Sequence, residues 1–201
     1  MKKAITILMV ATMAASFAAC GGNSSNENNT SKDSANSTMS VAESSKPEIK
    51  TESYDTGAIK VSVPEGWKAI PVQAYDSEQS GGNDKNQLMV YKTDDVDYYF
   101  SDPGITIKYA PNTTYMNMDW DKLYTDVKEI KATKIGEYTW EGIDATNSMG
   151  NRFTLIHTTE GDGYISLTVF TEINDKKISF DDEDVQTIIK SLEIKKWLFK
   201  I

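Results

Sequence analysis

Carboxylate and aromatic side chains are concentrated in one short stretch of this chain, residues 94–100, which reads Asp-Asp-Val-Asp-Tyr-Tyr-Phe. Proteins bind Ca²⁺ through oxygen atoms, so Asp94, Asp95 and Asp97 are candidate metal ligands. Their spacing is not that of an EF-hand, and Ca²⁺ takes about six to eight oxygens. The alternative interpretation is a solvated loop in an acidic protein, so the acidic cluster predicts no firm metal site.

Two tyrosines, Tyr98 and Tyr99, directly follow these carboxylates. Aromatic rings beside carboxylates can bind sugars or cationic ligands, which makes both residues candidate ligand-binding positions. The alternative is a strand whose alternate aromatic side chains pack into the core. The sequence leaves both interpretations open.

Histidine chemistry is limited to one residue, His157. Zinc sites of the His-x-x-x-His type and two-histidine iron sites therefore cannot form within one chain. The chain also lacks Gly-x-Ser-x-Gly, Ser-x-x-Lys and phosphate-binding glycine motifs. A lone histidine in a predicted strand favours a structural role. A Ser–His–Asp triad stays open because its members need not be adjacent in sequence. No catalytic residue is predicted.

Cys20 is the only cysteine. It follows two lysines at positions 2 and 3, an apolar run over residues 4–15 and the small residues Ala18 and Ala19. This order is typical of a secretory signal, so residues 1–19 are predicted to be a signal peptide. The apolar run is shorter than the roughly 20 residues that a membrane span needs.

Residues 17–20, Phe-Ala-Ala-Cys, resemble the lipobox of bacterial lipoproteins. The resemblance implies that the chain is cut before Cys20 and that its thiol carries lipid, with acyl chains such as palmitate. It therefore implies a lipid-anchored protein on the extracytoplasmic face of the cell membrane, with the bilayer as a partner. A lipidated cysteine is neither a nucleophile nor a disulfide partner, and the chain has no second thiol.

The composition excludes one class of partner. The chain has 30 acidic and 21 basic residues, a net charge of −9, and a single arginine, Arg152. Nucleic-acid binding needs concentrated Lys and Arg, so no nucleic-acid partner is expected. Residues 20–50 are rich in Ser and Asn and are predicted to be a disordered linker after the lipidated cysteine. Residues 51–201 have the length of one globular domain.

Periodicity in this domain predicts strands before and between two helices. The apolar residues 120, 123, 124, 127 and 130 share one helical face and predict a first helix. A second helix is predicted at about 180–191, from Val185, Ile188 and Ile189. The predicted strands are 58–63, 68–72, 87–92, 105–109, 133–140, 143–148, 152–159, 164–171 and 193–196. Turns are expected at 64–67, at Glu141-Gly142 and at 160–163. This order predicts an α+β fold, an antiparallel sheet layered with two main helices.

Short segments of the domain resemble Mog1/PsbP-like domains. They are 63–67 (Val-Pro-Glu-Gly-Trp) after the opening strand, 136–145 as strand–turn–strand, 164–170 as a long strand, and 188–194 as a helix leading into a terminal strand. The resemblance implies an α/β/α sandwich. It implies no activity, because a shared fold does not fix function.

The residues and resemblances together predict a cell-envelope lipoprotein that acts as a non-enzymatic binding or assembly module. Its partner would be an envelope protein or a small ligand, and no cofactor is expected, with Ca²⁺ left open. The alternative is a small carboxylate- or metal-dependent hydrolase of the envelope. The apolar end, residues 197–201, is expected either to pack on the sheet or to offer a partner-binding strand.

Overall fold

The computed structural model describes residues 49–74, 82–113, 118–160 and 163–195. The predicted signal peptide, Cys20, nearly all of the linker and the apolar end at 197–201 lie outside the described residues. No helix within the described ranges combines the length and the apolar character needed to cross a membrane.

Strands predominate among the described residues. In chain order the elements are β1 (Thr51–Asp55), β2 (Ile59–Pro64), β3 (Lys68–Gln73), β4 (Asn83–Tyr91), β5 (Gly104–Pro111), α1 (Trp120–Leu123), β6 (Thr125–Ile135), β7 (Tyr138–Thr146), β8 (Arg152–Thr158), β9 (Gly163–Ile173), β10 (Lys176–Lys177), α2 (Glu183–Lys190) and β11 (Glu193–Ile194). A single-turn 3₁₀ helix, Tyr99–Ser101, lies between β4 and β5.

The strands form two antiparallel sheets. The large sheet has the order β3-β4-β5-β9-β8-β7-β6, with β10 paired to β9, and the small sheet has the order β1-β2-β11. Strand β2 and helix α2 pack together over one face of the large sheet. Their apolar side chains, including Val61 and Ile188, share one core cluster with Trp140, Ile156 and Leu167 of the large sheet. The main core therefore lies between the large sheet and the β2–α2 layer.

A smaller apolar cluster lies on the opposite face of the large sheet. Its buried members are Ile143, Ala145 and Phe153, with Trp120 and Tyr124 packed against them. Phe153 and the main-core residue Ile156 are three positions apart on β8, so their side chains point to opposite faces. The segment around α1 thus covers only one part of this second face.

The expected fold class is wrong: the protein is mostly β, not an α+β helix-layered sandwich. The described helices are α1, of four residues, and α2, of eight. Only α2 corresponds to a predicted helix of substantial length. The α/β/α arrangement implied by the Mog1/PsbP resemblance is wrong for the same reason, because no long helix covers the second face of the sheet within the described ranges.

The first predicted helix is the short helix α1 followed by the first half of strand β6, which contains two bulges. The register with β7 shifts between Thr125 and Lys128 and again between Ile130 and Thr133. Val127 packs in the smaller cluster, whereas Ile130 packs against the main core on the other face. The apolar residues with helical spacing are therefore divided between α1 and the two faces of strand β6.

The turn expected at Glu141-Gly142 is also wrong, since β7 runs straight through it. A Cβ atom on Gly142 would lie 1.9 Å from the carbonyl oxygen of Leu155, so glycine is needed here for close strand approach. The actual turn lies at Gly136, whose φ of 63° suits glycine. A Cβ atom there would lie 2.8 Å from the carbonyl oxygen of Lys190, so this turn also abuts the end of α2.

Several local predictions are confirmed. Strand β2 ends at Pro64 and the chain turns at Gly66, whose φ is 82°. Strands β8 and β9 pair antiparallel as the predicted hairpin, and α2 leads into the terminal strand β11. Three of the segments that carry the Mog1/PsbP resemblance, 63–67, 164–170 and 188–194, therefore form locally as expected, whereas 136–145 is a turn followed by one strand and the layered arrangement does not form.

Candidate functional site

The loop between β4 and β5, residues 92–103, contains every metal-ligand and ligand-binding candidate predicted within the domain. It leaves the sheet after Tyr91, turns through the acidic residues and returns through the 3₁₀ helix to Gly104. The two strands pair antiparallel up to Tyr91 and Gly104, so the loop projects from the end of this strand pair. We call residues 92–103 the β4–β5 loop.

One of the two candidate tyrosines holds this loop to the sheet. The rings of Tyr99 and Tyr91 meet edge to face, with centroids 5.1 Å apart. Tyr91 itself is buried and lies over Gly104, where a Cβ atom would be 2.5 Å from the tyrosine ring. Tyr99 is therefore an anchoring residue, and the expectation that its ring contacts a ligand has no support in this geometry.

An ion pair fixes the far end of the loop. Lys176 of β10 donates a hydrogen bond from Nζ to Oδ1 of Asp102, which is only 8% exposed. The hydrogen bonds from Lys176 and then from Thr93 lower the pKa of Asp102 below its ordinary value, although partial burial opposes them. Asp102 is thus an ionised structural carboxylate that ties the β4–β5 loop to β10.

Beside the loop lies a cleft of about 500 Å³ whose charges are balanced. It is lined by Gly66, Lys92, Thr93, Asp94, Asp95, Asp102, Pro103, Lys176, Lys177 and Ile178. Lysines and aspartates face it in equal number, and Lys92 also lies 3.8 Å from Asp184 of α2. A cleft with paired charges of both signs has no strong preference for a small ion of either sign.

The three acidic candidates do not converge on a common point. Asp95 accepts a hydrogen bond at Oδ1 from the backbone N–H of Asp97, at 2.9 Å, and its own N–H donates to Oγ1 of Thr93. Asp94 and Asp97 are exposed. Across the parts of the chain that the structure describes, no three His, Cys, Asp or Glu side chains are grouped so that they could hold a metal ion. Ca²⁺ binding by these residues stays a prediction.

The tip of the loop exposes apolar side chains. Val96, Tyr98 and Phe100 are 52%, 64% and 62% exposed, and the rings of Tyr98 and Phe100 lie 6.3 Å apart. We call these three residues the loop patch. The sequence pointed to the aromatic residues 98–100 but missed Val96, because alternation in this stretch is equally typical of a half-buried strand.

His157 lies in a different environment, near the C-terminal end of β8, between two paired strands. It is 3% exposed, its Nδ1 lies 4.0 Å from Oε1 of Glu141, and its ring centroid lies 5.7 Å from that of Tyr164. Burial lowers the pKa of His157 below its ordinary value, and the nearby Glu141 carboxylate only partly opposes this. A buried neutral imidazole at pH 7 fits the structural role that the sequence favours.

His157 nevertheless borders a second cleft, of about 630 Å³, between the α1 segment and strands β6 to β8. Its acidic lining residues are Asp119, Asp121, Glu129 and Glu141. In register across neighbouring strands, His157 pairs with Glu141 on one side and with Ser166 on the other. Sequence reasoning missed Glu141 because it placed this residue in a turn.

No protein-family model matches this chain, and a search of curated proteins gave no significant match.

Proposed function

We propose that this protein is a lipid-anchored lipoprotein of the extracytoplasmic membrane face and that its β domain is a non-enzymatic binding or assembly module. The location rests on the order of basic, apolar and small residues before Cys20. Stable anchoring by lipid takes more than one acyl chain or a second signal, which a multiply acylated cysteine would supply. Residues 21–50 would then act as a tether between the membrane and the domain.

The loop patch is the observation that carries the binding role. Exposed apolar side chains that are grouped, rather than scattered singly, are typical of interaction sites. The rings of Tyr98 and Phe100 lie 6.3 Å apart, and Val96 is exposed two residues before Tyr98, on a loop whose base is held by Tyr99 and Asp102. An ordered base with an exposed tip suits binding, because less conformational entropy is lost when a partner is engaged.

A small envelope hydrolase is the second candidate. The row of Ser166, His157 and Glu141 on adjacent strands favours it, because register partners in antiparallel strands project to the same face. Against it, His157 is almost fully buried, so a substrate could reach its ring only after local opening. Within the described part of the chain, Glu141 is the acidic residue of this cleft that lies within ion-pair distance of His157.

Membrane fractionation of cells that produce the full chain tests the proposed location. Wild-type protein should sediment with membranes, incorporate a palmitate analogue and be cut by protease added outside the cell. Cys20→Ala should abolish incorporation of the analogue and release mature protein, or leave an uncut precursor. If Cys20→Ala still incorporates the analogue at the wild-type level, the lipoprotein assignment is wrong.

Hydrolysis assays separate the two candidate functions. Purified full chain is incubated with chromogenic esters and glycosides, beside the variants His157→Gln and Ser166→Ala. The binding-module proposal expects no turnover above that of the variants. Turnover that both substitutions abolish, in variants that keep the wild-type circular dichroism spectrum, would replace the binding role with the hydrolase.

A further inference from the structure

We propose that the loop patch docks a separate envelope protein through an apolar surface bordered by lysine or arginine. This inference rests on the proposed binding function and names the chemistry of its partner. The patch consists of Val96, Tyr98 and Phe100, and aromatic residues of this kind are enriched where interfaces gain most of their binding energy.

The charge around the patch defines the partner. Asp94, Asp95 and Asp97 are exposed. Asp94 and Asp95 precede Val96 in the chain, and Asp97 lies between Val96 and Tyr98. Asp94 and Asp95 also line the cleft beside the loop, together with the lysines, and there Lys176 pairs with Asp102 and Lys92 lies near Asp184. Asp95 and Asp97 flank Val96 in the chain and both are exposed, so carboxylates adjoin the patch, and opposite charges on a partner would guide its approach and orientation.

The same charges disfavour two other occupants. A lipid surface with anionic headgroups would repel the three aspartates, and burying them at the interface would be costly. A second copy of this chain would bring the same carboxylates together, in a chain whose net charge is already −9. A basic-rimmed protein surface satisfies both the apolar and the charged parts of the loop.

The loop is also held in place before it binds. Tyr99 packs on Tyr91, Asp102 pairs with Lys176, and the backbone N–H of Lys92 donates to the carbonyl oxygen of Pro103 at 3.1 Å. These contacts lie at the base of the loop and leave its tip exposed. Preorganisation of this kind lowers the entropy cost of docking.

Site-specific photo-crosslinking in cells tests this inference with the full, membrane-anchored chain. A benzophenone amino acid replaces Phe100 in one strain and Met149 in a matched control. Met149 is 79% exposed but lies in the turn between β7 and β8. We expect a discrete adduct between the Phe100 position and another protein, whose crosslinked peptide contains apolar residues beside lysine or arginine, and no such adduct from the Met149 position.

Charge removal then tests the chemistry of the contact. Asp94, Asp95 and Asp97 are changed together to Asn, which keeps the Oδ1 acceptor that Asp95 offers to the loop backbone. With the purified partner, we expect the triple variant to bind about three- to tenfold more weakly and with less dependence on salt. Tyr98→Ala should weaken binding by about tenfold or more if the ring lies at the centre of the interface.

Three results would overturn the inference. They are an adduct of two copies of this chain, crosslinking to lipid alone, and unchanged affinity of the Asn variant for the purified partner. None of these results bears on the proposed membrane location, because that location is tested separately with Cys20→Ala. Conversely, a specific Phe100 adduct together with undiminished lipid labelling of Cys20→Ala would keep the docking surface and refute the anchor.

Discussion

The β4–β5 loop and the interior strand β8 both contain side chains that can do chemistry, but they differ in how far they expose them to solvent. In the loop, Tyr98 and Phe100 are more than half exposed and the acidic residues face water. In β8, His157 is almost fully buried, although its neighbour Glu141 on β7 is exposed. The loop exposes groups that could bind, whereas the strand buries the group that could catalyse.

Strand position explains this difference. His157 has paired strands on both sides, β7 and β9, and a ring-to-ring contact with Tyr164. Residues 94–98 are outside the sheet, and all five are exposed. Function in this domain is therefore expected where the sheet ends, and the sheet centre is expected to carry stability.

Gly142→Ala should cause the largest loss of stability, because Gly142 lies at the centre of β7, next to Glu141. The added Cβ atom would lie 1.9 Å from the carbonyl oxygen of Leu155, so β7 and β8 must separate. We expect a loss of about 3 kcal/mol or more in the free energy of unfolding, measured by urea denaturation of the full chain. Such a shift would also disturb the pairing of Glu141 with His157.

Gly66→Ala is the matched control. Nothing lies within 4 Å of the Cβ atom that it would add, although the φ of 82° disfavours alanine. Its cost should stay near about 1 kcal/mol, the strain of a left-handed alanine. Equal losses for Gly142→Ala and Gly66→Ala would mean that the strand centre is not tightly packed, which would erase the contrast with the loop.

A smaller loss of stability is expected within the β4–β5 loop, where it should differ between two neighbouring tyrosines. Tyr99→Ala should lower the free energy of unfolding by about 1–2 kcal/mol, because it removes the edge-to-face contact with Tyr91. Tyr98→Ala should change it by no more than about 0.5 kcal/mol, since that ring is 64% exposed. Urea denaturation of both variants measures the difference. If Tyr98→Ala is the more destabilising, the loop patch is part of the fold and not a free surface.

The sequence predicts local structure here better than it predicts which face of the sheet a residue joins. The apolar residues at 120–130 fit a helical period, but in strand β6 ordinary alternation puts Val127 and Ile130, three positions apart, on opposite faces. Gly142 and Gly136 are likewise alike in sequence, although one allows close strand approach and the other forms a turn. Long-range strand pairing determines the structure in these cases. The predicted fold class was therefore wrong, whereas the β8–β9 hairpin and helix α2 were predicted correctly.

The candidate site was predictable in part for a similar reason. Acidic and aromatic residue types at 94–99 are visible in the sequence, and they do mark the projecting loop. Which tyrosine faces inward depends on Tyr91 and on the space above Gly104, which are brought near only by strand pairing. The pairing of Asp102 with Lys176 joins residues far apart in the chain and carries no local signal.

The pH dependence of stability also distinguishes the two regions. The pKa of His157 is lowered in the folded state, so the unfolded chain binds more protons as the pH falls below about 6.5. Stability contributed by the neutral ring is therefore present above that pH and is lost below it, with a slope of no more than about 1.4 kcal/mol per pH unit. Asp102 also has a lowered pKa, but its contribution is lost only below its ordinary value of 3.8. Urea denaturation between pH 5 and pH 8 isolates the histidine, and His157→Gln should remove the dependence in this range. A slope that survives in His157→Gln would assign the titration to another group and would leave the buried, neutral histidine without support.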